Sequence, residues 1–329
     1  MSNYLISIVI PVYNEHDMVV QTYTRTKKAL QNIHYELVFV DDGSTDESRQ
    51  KLFELAAGDP AVKVVALSRN FGHQSAVTAG LVHAEGDAVV VMDADLQDPP
   101  ELIELFIELW KQGYDVVYGI RHLRIGDSWF KRKAAHLFYR TLGSLSDVNI
   151  PPDVGDFRLM SRRVVDVVNA MPEYHRYLRG MVAWAGFRQI GVPYNRAPRS
   201  QGTTHYSWKK MWHLSLDGIT SFSIQPLRWI RRVALMVSAL ALMASLWLIY
   251  QKLSNPKNPA LVLGWTSMMV TVLWLGSLQL GVLGIIGEYV GRTLEQGRQH
   301  PQFIVDQVVS RDLPKGIHDN TTSLYQQKG

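Results

Sequence analysis

The sequence predicts an α/β chain, with a doubly wound and mostly parallel sheet followed by an amphipathic segment and two membrane-spanning helices. Three observations lead there. Short apolar runs alternate with segments of helical period from residue 6 to residue 118, the pattern of repeated strand–helix units. Polar clusters fall at the ends of those runs, where sheets of this kind bind their ligands. Charge then almost vanishes between residues 233 and 287, where Lys252 and Lys257 stand in a short break.

Residues 6–11 read as the first buried strand, and 15–31 are helical in character. A second strand over 35–40 leads to the turn Asp42-Gly43-Ser44. Residues 46–57 read as a helix, 62–67 as a strand and 74–84 as a helix. The apolar run 88–92 ends on Asp93. Pro99 and Pro100 then open a helix over 101–112, since proline suits a first helical turn. A further short strand covers 116–118.

In the second half, Trp212, Leu216, Ile219 and Phe222 recur at helical spacing beside polar residues. That is the pattern of an interfacial amphipathic helix; a surface helix packed on the domain would read the same, and the adjoining apolar run favours the interface. Residues 233–250 are uncharged and would span about 27 Å as a helix. Residues 260–287 form a longer run interrupted by Gln279, with Trp247, Tyr250 and Trp265 placed for the membrane interface. Arg228, Arg231 and Arg232 precede the first run, and Arg292 and Arg298 follow the second. Both ends are therefore expected in the cytoplasm. The expected divisions are a sheet domain over 1–208, amphipathic helices over 209–232, a transmembrane pair over 233–290 and a cytoplasmic tail over 291–329.

Composition removes several classes. The chain has no cysteine, which excludes disulfides and thiolate metal sites. Its net charge is +4, but the basic residues gather near the apolar runs and one candidate site rather than in a tract interleaved with aromatics. No nucleic-acid partner is expected. The first apolar stretch, residues 5–12, is too short for a signal peptide.

The strongest chemical constellation is Asp93-Ala94-Asp95-Leu96-Gln97-Asp98. Two carboxylates one residue apart, where a buried strand opens, offer hard oxygen ligands to Mg2+ or Mn2+. Asp41-Asp42-Gly43-Ser44-Thr45-Asp46 follows the second strand. A carboxylate there accepts hydrogen bonds from a base N–H or ribose hydroxyls, while Ser44 or Thr45 would cap the next helix. Asn14 and Glu15, after the first strand, would form the opposite wall.

The runs Ile10-Pro11-Val12-Tyr13-Asn14-Glu15, Val40-Asp41-Asp42-Gly43-Ser44-Thr45-Asp46, Arg69-Asn70-Phe71-Gly72 and Asp93–Glu101 resemble the inverting GT-A glycosyltransferases of family 2. Most similar are the polyprenyl-phosphate enzymes, including dolichyl-phosphate mannose synthases and bacterial bactoprenol glucosyltransferases. The likeness covers nearly the whole chain, and Gly155-Asp156-Phe157-Arg158 with Tyr177-Leu178-Arg179-Gly180-Met181 looks more like the glucosyl branch. The resemblance implies a GT-A fold with metal ligands Asp93, Asp95 and Gln97. It implies donor contacts at Pro11, Tyr13, Glu15, Asp42 and Ser68, beside the Asn14 and Asp41 noted above, and an acceptor-phosphate site at Arg121, Arg132 and Lys133. Arg199 would meet the donor diphosphate. Asp156, Asp95 and Arg158 would serve the transfer step, Asp156 as a base, as a sugar-positioning group or as a holder of an arginine such as Arg158. The chain departs from the family pattern at His205, Leu294 and His300.

The expected activity is therefore a metal-dependent, inverting transfer of a hexose, glucose from UDP-glucose foremost, to undecaprenyl or another polyprenyl phosphate. It would occur at the cytoplasmic face of a bacterial inner membrane, by one in-line displacement. Other sugar donors of the mannose or aminoarabinose type stay open. So does a processive synthase, which Gln225-Pro226-Leu227-Arg228-Trp229 would suit, and a non-catalytic nucleotide-sugar-binding membrane protein. A homo-oligomer is compatible with the sequence.

Overall fold

The computed structural model describes residues 4–121, 154–174, 176–195, scattered positions between 230 and 254, and 265–311. One eight-stranded sheet organises the first part of the chain, in the spatial order β7-β5-β6-β4-β1-β2-β3-β8. Its centre is parallel: β4 (Ala88–Val91), β1 (Ile6–Val12), β2 (Tyr35–Asp41) and β3 (Val62–Leu67). Every residue of β1 and β4 is buried, which explains their unbroken apolar character, because helices cover both faces. The crossovers are α1 (Val19–Ala29), α2 (Ser48–Gly58) and α3 (His73–His83). Gly80 lets α3 lie close on the sheet, since a Cβ there would come within 2.2 Å of Val9 Cγ1.

A 3-10 turn at Pro100–Leu102 leads into α4 (Ile103–Lys111) and then β5 (Val116–Arg121). These elements match the sequence expectations to within a few residues. The remaining strands were not expected. β6 (Val154–Ser161) lies antiparallel between β4 and β5, and β7 (Gln189–Tyr194) runs parallel to β5. Helices α5 (Arg162–Ala170) and α6 (Leu178–Ala185) join β6 to β7. Phe106 and Phe157, with ring centroids 4.8 Å apart, fill the core beneath β6.

The last strand lies within residues 291–329, the segment expected as the C-terminal tail, for which no strand was expected. β8 (Val305–Ser310) pairs antiparallel with β3 and completes the sheet edge. The chain divides into two compact units, one holding the sheet with β8 and the other holding α7 (Trp265–Gly297). Helix α7 runs ten residues past 287, where the second apolar run was expected to end. Among the described residues no helix is long and apolar enough to cross a membrane, so the structure does not demonstrate the expected pair of spans. Most of 209–232, including the whole apolar stripe of the interfacial segment and the whole 225–229 motif, lies outside the described residues, as do eight of the eighteen residues of 233–250.

Candidate active site

Strand register places the polar clusters together. Val12 pairs with Asp41, Asp41 pairs with Ala66, and Val9 pairs with Val91. The residues after β1, β2, β3 and β4 therefore share the carboxyl edge of the parallel sheet. Pro11 is buried within β1, and Tyr13 just beyond it is about half exposed.

The β1 and β2 loops are stitched to each other. Asn14 sits in the left-handed region at φ 53°. Its Oδ1 accepts from the Thr45 N–H at 2.8 Å, and its own N–H donates to Ser44 Oγ at 3.1 Å. The Glu15 N–H donates to Ser48 Oγ at 2.9 Å. Ser44 and Thr45 thus bind the neighbouring loop instead of capping α2, whose N-cap residue is Glu47. Gly43 has φ 67°, and a Cβ there would lie 2.4 Å from the Arg69 carbonyl carbon. Only glycine lets this turn sit on the 69–70 backbone.

The adjacent carboxylates Asp41 and Asp42 face different partners. Asp41 is fully buried; one oxygen accepts from Arg49 Nε at 2.6 Å and the other from the Ser44 N–H at 3.1 Å. Asp42 accepts from the backbone N–H groups of Phe71 at 2.7 Å and Gly72 at 3.0 Å. Burial pushes its carboxyl above the usual value despite those two donors. Ser68 is exposed, and its N–H donates to the Ile304 carbonyl at 3.0 Å. An open cleft of about 750 Å3 lies beside this end, lined by Gly43, Ser44, Thr45, Arg49, Ser68 and Arg69 among others.

At the end of β4, Asp93 is a quarter exposed. Burial drives its carboxyl up to about 6; His73 opposes this, and the charges of Asp98, Asp156 and Asp95 add to it. Asp95 Oδ1 accepts from the Gln97 N–H at 3.1 Å, across a turn in which Leu96 has φ 55°. Gln97 is buried, and fully buried Asp98 accepts from the Tyr194 hydroxyl of β7.

Asp156 on β6 faces the same edge. Arg179 grips it with a two-pronged fork at 2.9 and 3.2 Å. His73, the first residue of α3, places Nε2 3.3 Å from Asp156 and 3.7 Å from Asp93. Against the cost of burial, Arg179 and His73 hold Asp156 well below the usual carboxylate range. For His73 burial acts downward, but the Asp156 hydrogen bond and the charges of Asp93 and Asp156 raise it to about 9. Arg158 is buried, donates to the Gly155 carbonyl at 2.9 Å and is lowered to about 10 by desolvation. The arginine that holds Asp156 is thus Arg179, not Arg158.

His73 and Arg179 are the site residues that sequence reading passed over, although both stand in or beside quoted motifs. Arg121 closes β5, its backbone paired opposite Tyr194. Arg132, Lys133, Arg199 and His205 lie outside the described residues. A measurement follows for His73. In the chelated, metal-free protein its imidazole should titrate near pH 9 by NMR, carrying charge at neutral pH and losing it above 9. A midpoint at or below 7 would remove Asp156 as its partner.

The donor set fits a divalent ion. Asp93, Asp95 and Gln97 offer oxygens alone, as Mg2+ and Mn2+ prefer. The charges of Asp98, Asp156 and Asp95 all act on Asp93, and His73 and Arg179 are cations that act on Asp156. Among the described residues no group of three or more His, Cys, Asp or Glu forms a ready metal cage. Two carboxylates completed by substrate phosphates are the usual Mg2+ arrangement.

A mostly parallel sheet that gathers an Asp-Asp turn and an Asp-x-Asp turn on its carboxyl edge defines a glycosyltransferase of the GT-A class. The chain belongs to glycosyl transferase family 2, whose model matches residues 7–168. It is 45% identical over 301 residues to an uncharacterized glycosyltransferase of Bacillus subtilis, covering 91% of this chain and 92% of the relative. It is 40% identical over 304 residues to the bactoprenol glucosyl transferase of Shigella phage SfV, covering 91% and 97%. Among solved structures, a mannosyltransferase from Pyrobaculum calidifontis in complex with GDP-Man and Mn2+ aligns with a TM-score of 0.47 at 16% identity, over 88% of each chain. The protein is an enzyme that transfers sugars.

Proposed function

We propose that this enzyme transfers glucose from UDP-glucose to the phosphate of a polyprenyl lipid such as undecaprenyl phosphate, with inversion at the anomeric carbon. The observation that carries the reading is the near full-length likeness to the bactoprenol glucosyl transferase of Shigella phage SfV, joined to the carboxylate edge. Pro11, Tyr13, Asn14, Glu15, Asp41, Asp42 and Ser68 would cradle the nucleotide, and Arg199 the diphosphate. Asp93, Asp95 and Gln97 would hold Mg2+ or Mn2+, which supplies Lewis-acid stabilisation of charge on the departing diphosphate.

A phosphate monoester has a second pKa of about 6, so the acceptor oxygen is already anionic near neutral pH. A general base is unnecessary. Asp156 suits that role poorly, because a carboxylate held far below its usual pKa accepts a proton weakly. It instead orients the sugar and fixes Arg179 and His73. Arg121, Arg132 and Lys133 would grip the lipid phosphate, for which guanidinium forks are apt.

We place the enzyme in a bacterial inner membrane, as a multi-pass protein with its sheet domain and both termini cytoplasmic. Support comes from the two apolar runs and from α7, where Trp274, Leu280, Leu283 and Val290 are exposed. Apolar surface of that extent marks a partner or a lipid phase. Because the chain lacks cysteine, a cysteine introduced at Ser254 should react with an impermeant reagent in intact cells, and one at Ser2 should not. The opposite labelling overturns the orientation.

A donor panel tests the chemistry. With undecaprenyl phosphate and Mn2+, the purified protein should consume UDP-glucose and release one glucosyl phosphate lipid, labile to mild acid. Preference for a mannose or aminoarabinose donor changes the sugar alone. A ladder of longer glycans refutes the phosphate acceptor and favours a processive synthase.

A further inference from the structure

We propose that Arg49 and Asp306 are positioning residues for donor binding, so that the C-terminal strand β8 sets the affinity for the nucleotide. This rests on the reading above that the carboxyl edge of β1–β3 cradles the nucleotide. Arg49 projects from the first turn of α2 and makes three contacts with three different strands. Its Nε donates to Asp41 at 2.6 Å, its Nη2 to the Leu67 carbonyl at 2.7 Å, and its Nη1 to Asp306 at 3.1 Å. Those partners end β2, end β3 and lie on β8.

Two features make this more than a surface ion pair. Asp41 is fully buried, and Arg49 supplies the cation that accompanies its charge there. A guanidinium can hold such a group in one orientation because its donors form a rigid planar fork. Independently, the Ile304 carbonyl at the start of β8 accepts the Ser68 N–H, and Val305 pairs with Leu67. Strand β8 therefore braces two donor-side positions, Asp41 through Arg49 and Ser68 through its own backbone. Neither Arg49 nor Asp306 is proposed to touch the substrate. They fix the angle at which the Asp41 turn, with Gly43 at its apex, meets the nucleotide.

The test is nucleoside diphosphate binding to the full-length protein with Mn2+, by calorimetry, using UDP and GDP separately. Which nucleotide the wild type binds decides the donor reading. The ratio of variant to wild-type Kd for that nucleotide decides this inference. Arg49→Gln should weaken binding about tenfold, the effect of losing hydrogen bonds to a charged group. Asp306→Asn should weaken it about two- to threefold, since half-exposed ion pairs count for little, and Asp306→Glu should restore it. Asp306 is 52% exposed, so its variants are expected to fold. In turnover, both weakening variants should raise the donor KM and leave kcat within a factor of about two. Unchanged Kd in Arg49→Gln, or a fall in kcat with donor KM intact, overturns the proposal. Failure of the wild type to bind either nucleotide overturns both readings.

Discussion

Changing Asp95 to alanine is expected to cut transfer by at least about a hundredfold, the scale of removing one group aimed at developing charge, while the protein stays folded. The structure separates the two effects. Asp95 accepts from the Gln97 N–H within its own turn, and it is not among the fully buried carboxylates. Shortening a partly exposed side chain in a turn opens no cavity in the core. It also relieves Asp93, whose carboxyl Asp95 helps to raise, so the Asp93 pKa should move down in the variant. Steady-state assays with Mg2+ and with Mn2+, beside a thermal melt, check both halves. Activity above one tenth of wild type removes Asp95 from the metal site, and an intact melt excludes misfolding as the cause of a loss.

The second large effect concerns Asp156→Asn. Arg179 and His73 would lose the ion between them. Breaking a buried pair usually costs several kcal/mol, but Arg179 is 25% and His73 43% exposed, so solvent returns part of it. A loss of about 1–3 kcal/mol is expected. The rate is more informative. If Asp156 orients the sugar, kcat should fall about tenfold, against the 10²–10⁴-fold typical of a lost general base. The pH profile distinguishes the two outright. With divalent ion saturating, kcat/KM for the lipid should rise through about pH 6 as the acceptor phosphate ionises. That limb should persist in the variant, because it belongs to the substrate. Its disappearance in Asp156→Asn would make Asp156 the base and would reopen a hydroxyl acceptor.

The parallel core was legible because each of its strands is a buried apolar run ending in a polar cluster. β1 and β4 are buried from end to end, and the Asp-Asp and Asp-x-Asp turns fall where β2 and β4 stop. The antiparallel strands were not, for a reason visible in β6. Val-Gly-Asp-Phe-Arg-Leu-Met-Ser alternates charge with bulk, and its Asp and Arg look misplaced until Arg179 and the Gly155 carbonyl come into view. β8, Val-Asp-Gln-Val-Val-Ser, is too polar to announce itself, since an edge strand is half solvated. The site shows the same division. Carboxylates in a turn reveal themselves by spacing, whereas His73 meets Asp156 only through a fold that joins α3 to β6. Of the two arginines near Asp156, Arg158 donates to its own strand while Arg179 approaches from α6, a choice that spacing along the chain does not reveal.

The late arrival of β8 also bears on how the protein is born. Strand β3 is finished by residue 67, yet its outer neighbour begins at residue 305. Until the ribosome has made everything between, including both apolar runs, the nascent sheet carries β3 as a bare edge. Unpaired edges recruit other chains, so the growing polypeptide passes through a window of vulnerability that closes only near the end of translation. Premature termination anywhere before residue 305 would make that window permanent. A chaperone that shields β3 during synthesis, or an order of maturation in which the apolar runs are secured first, would meet that demand.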